Sequence, residues 1–136
     1  MTHVPTPSVP VSWGELIDKI TILEIKRARL RREEARANVM KEHALLRATA
    51  ADALDEVAPL VAELRAVNEQ LWEIEDAIRG EEAEARFGPS FIHLARQVYR
   101  RNDERAAIKR CINERLSSGL VEEKGYADYG MAAGQG

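Results

Sequence analysis

The sequence has one cysteine, Cys111, so no disulfide can close within the chain and no cysteine-based zinc site can be assembled. That usage fits a reducing compartment. Aromatic residues make up only 5% of the 136 positions, with Trp13, Trp72, Phe87 and Phe91 as the large anchors, so the core has to be mostly aliphatic. Long hydrophobic runs are missing, and no segment reads as a membrane span. The opening residues MTHVPTPSVP have neither the basic region nor the apolar stretch of a signal peptide. A soluble, cytoplasmic protein is the expectation. The three histidines fall in the arm (His3), on an inner helix face (His43) and on an outward one (His93), so no histidine cluster for a metal is expected.

With 45% hydrophobic and 32% charged residues, the chain belongs to the globular class, and its length suits one domain that buries a core without a staple. A net charge of −3 argues against generic nucleic-acid binding. The distribution of charge is more informative. Residues 54–88 carry ten Asp/Glu against three Arg, whereas residues 91–118 carry seven Lys/Arg against three Asp/Glu. Such an acidic segment followed by a basic one reads most simply as an intramolecular helix pair with matched facing charges.

Pro5, Pro7 and Pro10 make residues 1–12 an extended arm. Ser12 stands three residues before Glu15, the spacing of a capping box, so a helix should start near Trp13. No glycine or proline intervenes between Gly14 and Pro59, yet apolar periodicity is lost over RREEARAN, residues 31–38. Two helices, 13–32 and 36–57, with a kink or tight turn between them, are therefore predicted. Pro59 suits the first turn of a third helix, along which Leu60, Leu64, Val67, Leu71, Ile74 and Ile78 recur at steps of four and three, the seam of a helical hairpin or coiled coil. Gly80 should end it, residues 81–88 read as an acidic linker, and Pro89 opens a last helix that stops near Gly119. The fold class is all-α, a small bundle of antiparallel helices over 13–119, with a C-terminal tail, 120–136, whose last residues should be mobile.

Several polar residues occupy positions where a core residue is expected. On the first helix Glu24 shares an arc with Ile17, Ile20 and Thr21. On the third, Asn68 and Glu75 lie beside the leucine seam, and on the last, Asn102, Arg105, Lys109 and Asn113 share the arc of Leu94, Val98, Ile112 and Leu116. Burying unpaired charge costs several kcal/mol, so these groups must meet each other, water or a ligand. In one reading they close into a structural network. In the other they line a polar pocket between helices, with Arg105 and Lys109 holding an anion, Asn68 and Asn102 orienting it, and Glu24 or Glu75 acting as acid, base or metal ligand. His43 reads as a satisfied core histidine beside Val39, Leu46 and Val57. The run KRARLRR, residues 26–32, reads as a solvated face, and the pairs Glu15/Asp18 and Glu73/Asp76 have a spacing that could share Mg²⁺ but is frequent on charged helices.

The strings VSWGELIDKITILEIK (11–26), NEQLWEIEDAIR (68–79), FIHLARQVYRRNDERAAIKRCIN (91–113) and LVEEKGYADY (120–129) resemble a family of small bacterial and phage proteins defined only as a domain of unknown function. That resemblance spans nearly the whole chain. It implies no activity and no catalytic residues, and at most suggests company with genes of surface-polysaccharide synthesis and glycosyl transfer. Helical enzyme patterns fail residue by residue. Gly14 stands where helical chorismate mutases have an arginine, Ala85 where helical nucleotide pyrophosphohydrolases have a third carboxylate, and Ala106 where helical ribonucleases have a histidine. Two readings follow: a non-catalytic binding or accessory protein for a partner protein or small anionic ligand, with a homo-oligomer possible, or an enzyme on a phosphorylated or nucleotide-sugar-like substrate. They part on whether the polar residues surround a cavity or close on one another.

Overall fold

A computed structural model describes residues 3–125, which form four helices: α1 (Trp13–Arg29), α2 (Glu33–Glu56), α3 (Ala58–Ala83) and α4 (Pro89–Arg115). No strand occurs among the described residues, in keeping with the all-α expectation. The predicted mobile end of the tail falls mostly on residues 126–136, which lie outside the described ones.

Residues 3–11 are exposed and outside any helix. Ser12 then caps α1, its hydroxyl accepting from Glu15 N at 3.2 Å. The other half of the capping box is not used, because the Glu15 carboxylate turns to Lys109 instead. The break between α1 and α2 comes earlier than predicted, at residues 30–32. Helix dipoles account for the shift: Lys26, Arg27 and Arg29 sit in the last turn of α1, and Glu33 and Glu34 in the first turn of α2, each at the end that favours its charge. Across the break, Arg36 Nε donates to Arg27 O at 3.3 Å.

Val57 alone separates α2 from α3 and serves both as cap. Pro59 has no N–H to continue α2 and fits the first turn of α3, so the chain bends at Val57, which is 1% exposed. Gly80 does not end α3 as predicted. The helix continues to Ala83, so only the first three residues of the expected acidic linker are helical, and the stop is made by Ala85 at φ 54°, with Arg86 N bonded to Glu81 O at 2.9 Å. At the end of α4, Ser117 at φ 50° does the same, two residues ahead of the expected Gly119.

As the leucine seam predicts, α3 lies along α4 as an antiparallel hairpin, and α1 packs against α2, α3 and α4. The core sits at one end of this hairpin, where Ile17, Ile20, Ala50, Leu54, Val57, Leu64, Val67 and Ile112 meet, ringed by the partly buried Trp13, Leu16, Leu46, Leu60 and Leu116. It is aliphatic, as the shortage of aromatics requires. Beyond Leu71 on α3, and before Lys109 on α4, neither helix has a buried residue.

The Ala85 stop holds an L-residue in the left-handed region at a cost of about 1–2 kcal/mol, partly offset in glycine by the greater freedom of the unfolded chain. Ala85→Gly should therefore raise stability by about 0.5–1 kcal/mol, measured by urea unfolding.

Candidate functional site

The polar residues of α1, α3 and α4 meet around Asp18, a carboxylate only 3% exposed. It reaches this position because Gly14, Asp18, Thr21 and Ile25, at steps of four, three and four, form one buried stripe of α1. Without a side chain at Gly14, α1 comes close enough to α4 for Gly14 N to donate to Asn113 Oδ1 at 2.7 Å. A Cβ built there would lie 2.7 Å from Lys109 O.

Both oxygens of Asp18 are engaged. Oδ1 accepts from Asn68 Nδ2 at 2.9 Å and from Arg105 Nε at 3.0 Å, and Oδ2 accepts from Arg105 Nη2, completing a two-pronged guanidinium pair. Asn68 Nδ2 also donates to Thr21 Oγ1 at 2.9 Å, and Thr21 in turn donates to Asp18 O at 2.7 Å. Lys109 is buried between three carboxylates, with its Nζ 2.5 Å from Glu15, 3.3 Å from Glu122 and 3.9 Å from Asp18. Asn102 Oδ1 sits at 3.5 Å from Arg105 Nη1, at the edge of the cluster. The Asp18 hydrogen bonds raise the Arg105 guanidinium above its ordinary range, against the opposing effect of burial. Burial works against ionisation of Glu122 too, yet Lys109 and Lys124 hold its carboxyl below the usual range.

Of the residues singled out from sequence, Asn68, Asn102, Arg105 and Lys109 are brought together here. Glu24 is not among them. It belongs to a second cluster, where it lies 3.0 Å from His43 Nε2 and accepts from Arg65 Nη1 at 3.1 Å, tying α1 to α2 and α3. His43 is 7% exposed and satisfied by that contact, as expected of a core histidine. Glu75 is exposed on α3, outside both clusters. The expectation of one connected cluster is corrected on both points. The hub itself, Asp18, was visible from sequence only as half of a weak acidic pair. Glu15 and Asp18 flank the Lys109 ammonium, Asp18 also holding Arg105, and among the described residues no group of three His, Cys, Asp or Glu side chains is placed to hold a metal.

No buried side-chain nitrogen or oxygen among the described residues lacks a hydrogen-bond partner. The cavity touching Lys109 has a volume of about 10 Å³, room for one water at most. A larger groove of about 410 Å³ opens to solvent along Arg110, Asn113, Glu114, Ser117, Ser118, Val121 and Glu123, where carboxylates stand beside the single arginine. The polar residues thus close on one another. The anion that Arg105 and Lys109 are placed to hold is supplied by the chain's own Asp18, Glu15 and Glu122.

A family model described as a family of unknown function, DUF6165, matches residues 8–132, and the chain belongs to that family. No curated protein and no solved structure matches it.

Arg105→Met keeps side-chain length but strands the Asp18 carboxylate, so it should cost about 3–5 kcal/mol and lower the melting temperature by on the order of 10 °C in a calorimetric scan. Gly14→Ala should reverse the usual gain of alanine over glycine in a helix. The new Cβ meets the backbone of α4, and crowding of this kind costs about 1–3 kcal/mol, so denaturant unfolding should report a net loss.

Proposed function

We propose that the chain is a non-catalytic binding or accessory protein, its helical bundle a rigid frame that presents exposed helix faces to a protein partner. The observation that supports this most is the state of the cations. Arg105 and Lys109 are the obvious groups for polarising or clamping a phosphorylated substrate, and both are engaged by internal carboxylates. A catalytic acid or base needs access to the reacting atoms, whereas Asp18 is 3% exposed and held by three donors of its own chain.

The surface offers more to a protein than the interior offers to a small molecule. Met40 and Leu45 on α2, Ile92 on α4 and Phe87 in the α3–α4 loop are each more than half exposed. Apolar side chains of that size on charged helices suit contact with another helix. No helix among the described residues is long and apolar enough to cross a membrane. A cytoplasmic setting is part of the same reading, since Cys111 is free and exposed and the chain has no second cysteine with which to form a disulfide.

A thermal-shift series with inorganic phosphate, nucleotides and nucleotide sugars tests the reading. No rise in melting temperature is expected, because none of these ligands has a folded-state site to stabilise. A saturable rise of several degrees, or turnover of any of them, would replace it with the enzyme reading.

A further inference from the structure

The side-chain amide of Asn113 is only half used. Its Oδ1 accepts from Gly14 N at 2.7 Å, which fixes the planar group and turns Nδ2 away from α1. Nδ2 donates to no group among the described residues. Asn113 is 5% exposed, and no sealed side-chain nitrogen among those residues lacks a partner, so Nδ2 reaches open space. The space at hand is the small cavity beside Lys109 and the groove of about 410 Å³, both of which Asn113 lines. A donor so nearly buried costs free energy until an acceptor comes to it, and the groove is where one can enter.

The walls of the groove show what that acceptor is attached to. Arg110 and Glu114, a helical turn apart, border Asn113 on α4. Val121 and Glu123 line the groove from the segment past α4, which Glu122 ties back to Lys109. The matched charges expected of α3 and α4 do not meet. Among the described residues no ion pair joins those two helices, and Arg110 is one of the cations left over. Glu114 and Glu123 are in no ion pair there either, and all three side chains are exposed. The groove thus sets a cation and two carboxylates around an amide donor. A simple anion is repelled by Glu114 and Glu123, and a simple cation meets Arg110 and brings nothing that accepts from Nδ2. A neutral acceptor flanked by charges of both signs suits every group at once.

We propose that the groove at the end of α4 binds a segment of peptide chain from a partner protein, a backbone carbonyl of the segment accepting from Asn113 Nδ2. An acidic side chain of the segment meets Arg110, and a basic one meets Glu114 and Glu123. The exposed Val121 offers apolar contact to the stem of that basic residue. A volume of about 410 Å³ is in the range of small-ligand sites, and because the groove opens to solvent a chain can lie in it without being enclosed. This rests on the reading of the chain as a binding protein and names the stretch of partner that it takes.

Proton–nitrogen correlation spectra of the isotope-labelled full chain are the test, because the Asn113 side-chain amide gives its own pair of signals. The probes are two blocked peptides, acetyl-Glu-Gly-Lys-amide and acetyl-Lys-Gly-Glu-amide, which present the charges in either order. At least one of them, at millimolar concentration, should move the Asn113 side-chain signals saturably, together with backbone amides of residues 110–123. Arg110→Glu and, separately, Glu123→Lys alter exposed side chains that hold no ion pair among the described residues. Both variants should keep the helical circular dichroism spectrum and bind that peptide about tenfold more weakly. Acetyl-Gly-Gly-Gly-amide, with the carbonyls but no charge, should bind more weakly than the charged peptide. Asn113 signals that neither charged peptide moves overturn the inference, as does a response indifferent to both variants. Free lysine or free glutamate binding as tightly as the peptides overturns it too, by making the groove a site for free amino acids. Each of these results leaves the binding-protein reading standing, which falls instead on a shift with phosphate, nucleotide or nucleotide sugar, or on turnover.

Discussion

Burying the Asp18 carboxylate is the constraint on which the bundle depends. A lone ionised carboxylate at 3% exposure would cost several kcal/mol, a large share of what a domain of this size has to spare. The cost is offset only if Arg105 of α4 and Asn68 of α3 arrive together, because between them they engage both oxygens. One side chain therefore fixes the relation of three helices. Apolar packing at Ile17, Ile20, Leu64 and Ile112 supplies the driving force, but greasy contacts tolerate sliding where the two-pronged pair does not.

The neighbouring interactions depend on that placement. Gly14 lies one turn before Asp18, and the closeness of the Asp18 contact to α4 is what requires a residue without a side chain there. Lys109, one turn beyond Arg105, is drawn into the interior among Glu15, Asp18 and Glu122, and in this way residues past the end of α4 are tied back to the bundle. The second cluster, Glu24 with His43 and Arg65, repeats the arrangement at the side where α2 joins.

Much of the fold was legible in the sequence because it is carried by periodicity and punctuation. The four-and-three seam from Leu60 to Ile78 marked the hairpin, Ser12 and Pro59 marked two helix starts, and the few aromatics foretold an aliphatic core. Glycine misled as a stop signal. Gly80 is helical, while Ala85 and Ser117 take the left-handed stops, because the 5→1 and 6→1 hydrogen bonds that end a helix are decided by where packing runs out. The candidate site was legible in part. Asn68, Arg105 and Lys109 stand out as polar residues on apolar arcs, but their shared partner on α1 does not, since Asp18 lies beside the Ile17 and Ile20 stripe and resembles any solvent-facing acid. The useful signal was Gly14 at the head of the Gly14, Asp18, Thr21 stripe, small and polar residues that mark a close helix crossing. Pairing across helices, which sends Glu24 to His43 and leaves Glu75 with none, is a property of three-dimensional register and has no one-dimensional trace.

The seven-residue spacing from Asn68 to Glu75 on α3, and from Val98 to Arg105 on α4, has a consequence for where α1 can sit. Helical repetition puts Glu75 on the stripe of Asn68 and Val98 on that of Arg105, so a register displaced by one heptad would bring α1 to those residues instead. In that displaced register Asp18 would meet Glu75 in place of Asn68 and Val98 in place of Arg105, a carboxylate and an alkyl group where its two donors had been. Like charges brought together out of water repel strongly, so that register is disfavoured against the one that α1 takes. Glu75 thereby counts against the displaced register, and α1 belongs at the end of the hairpin where its own charge is wanted.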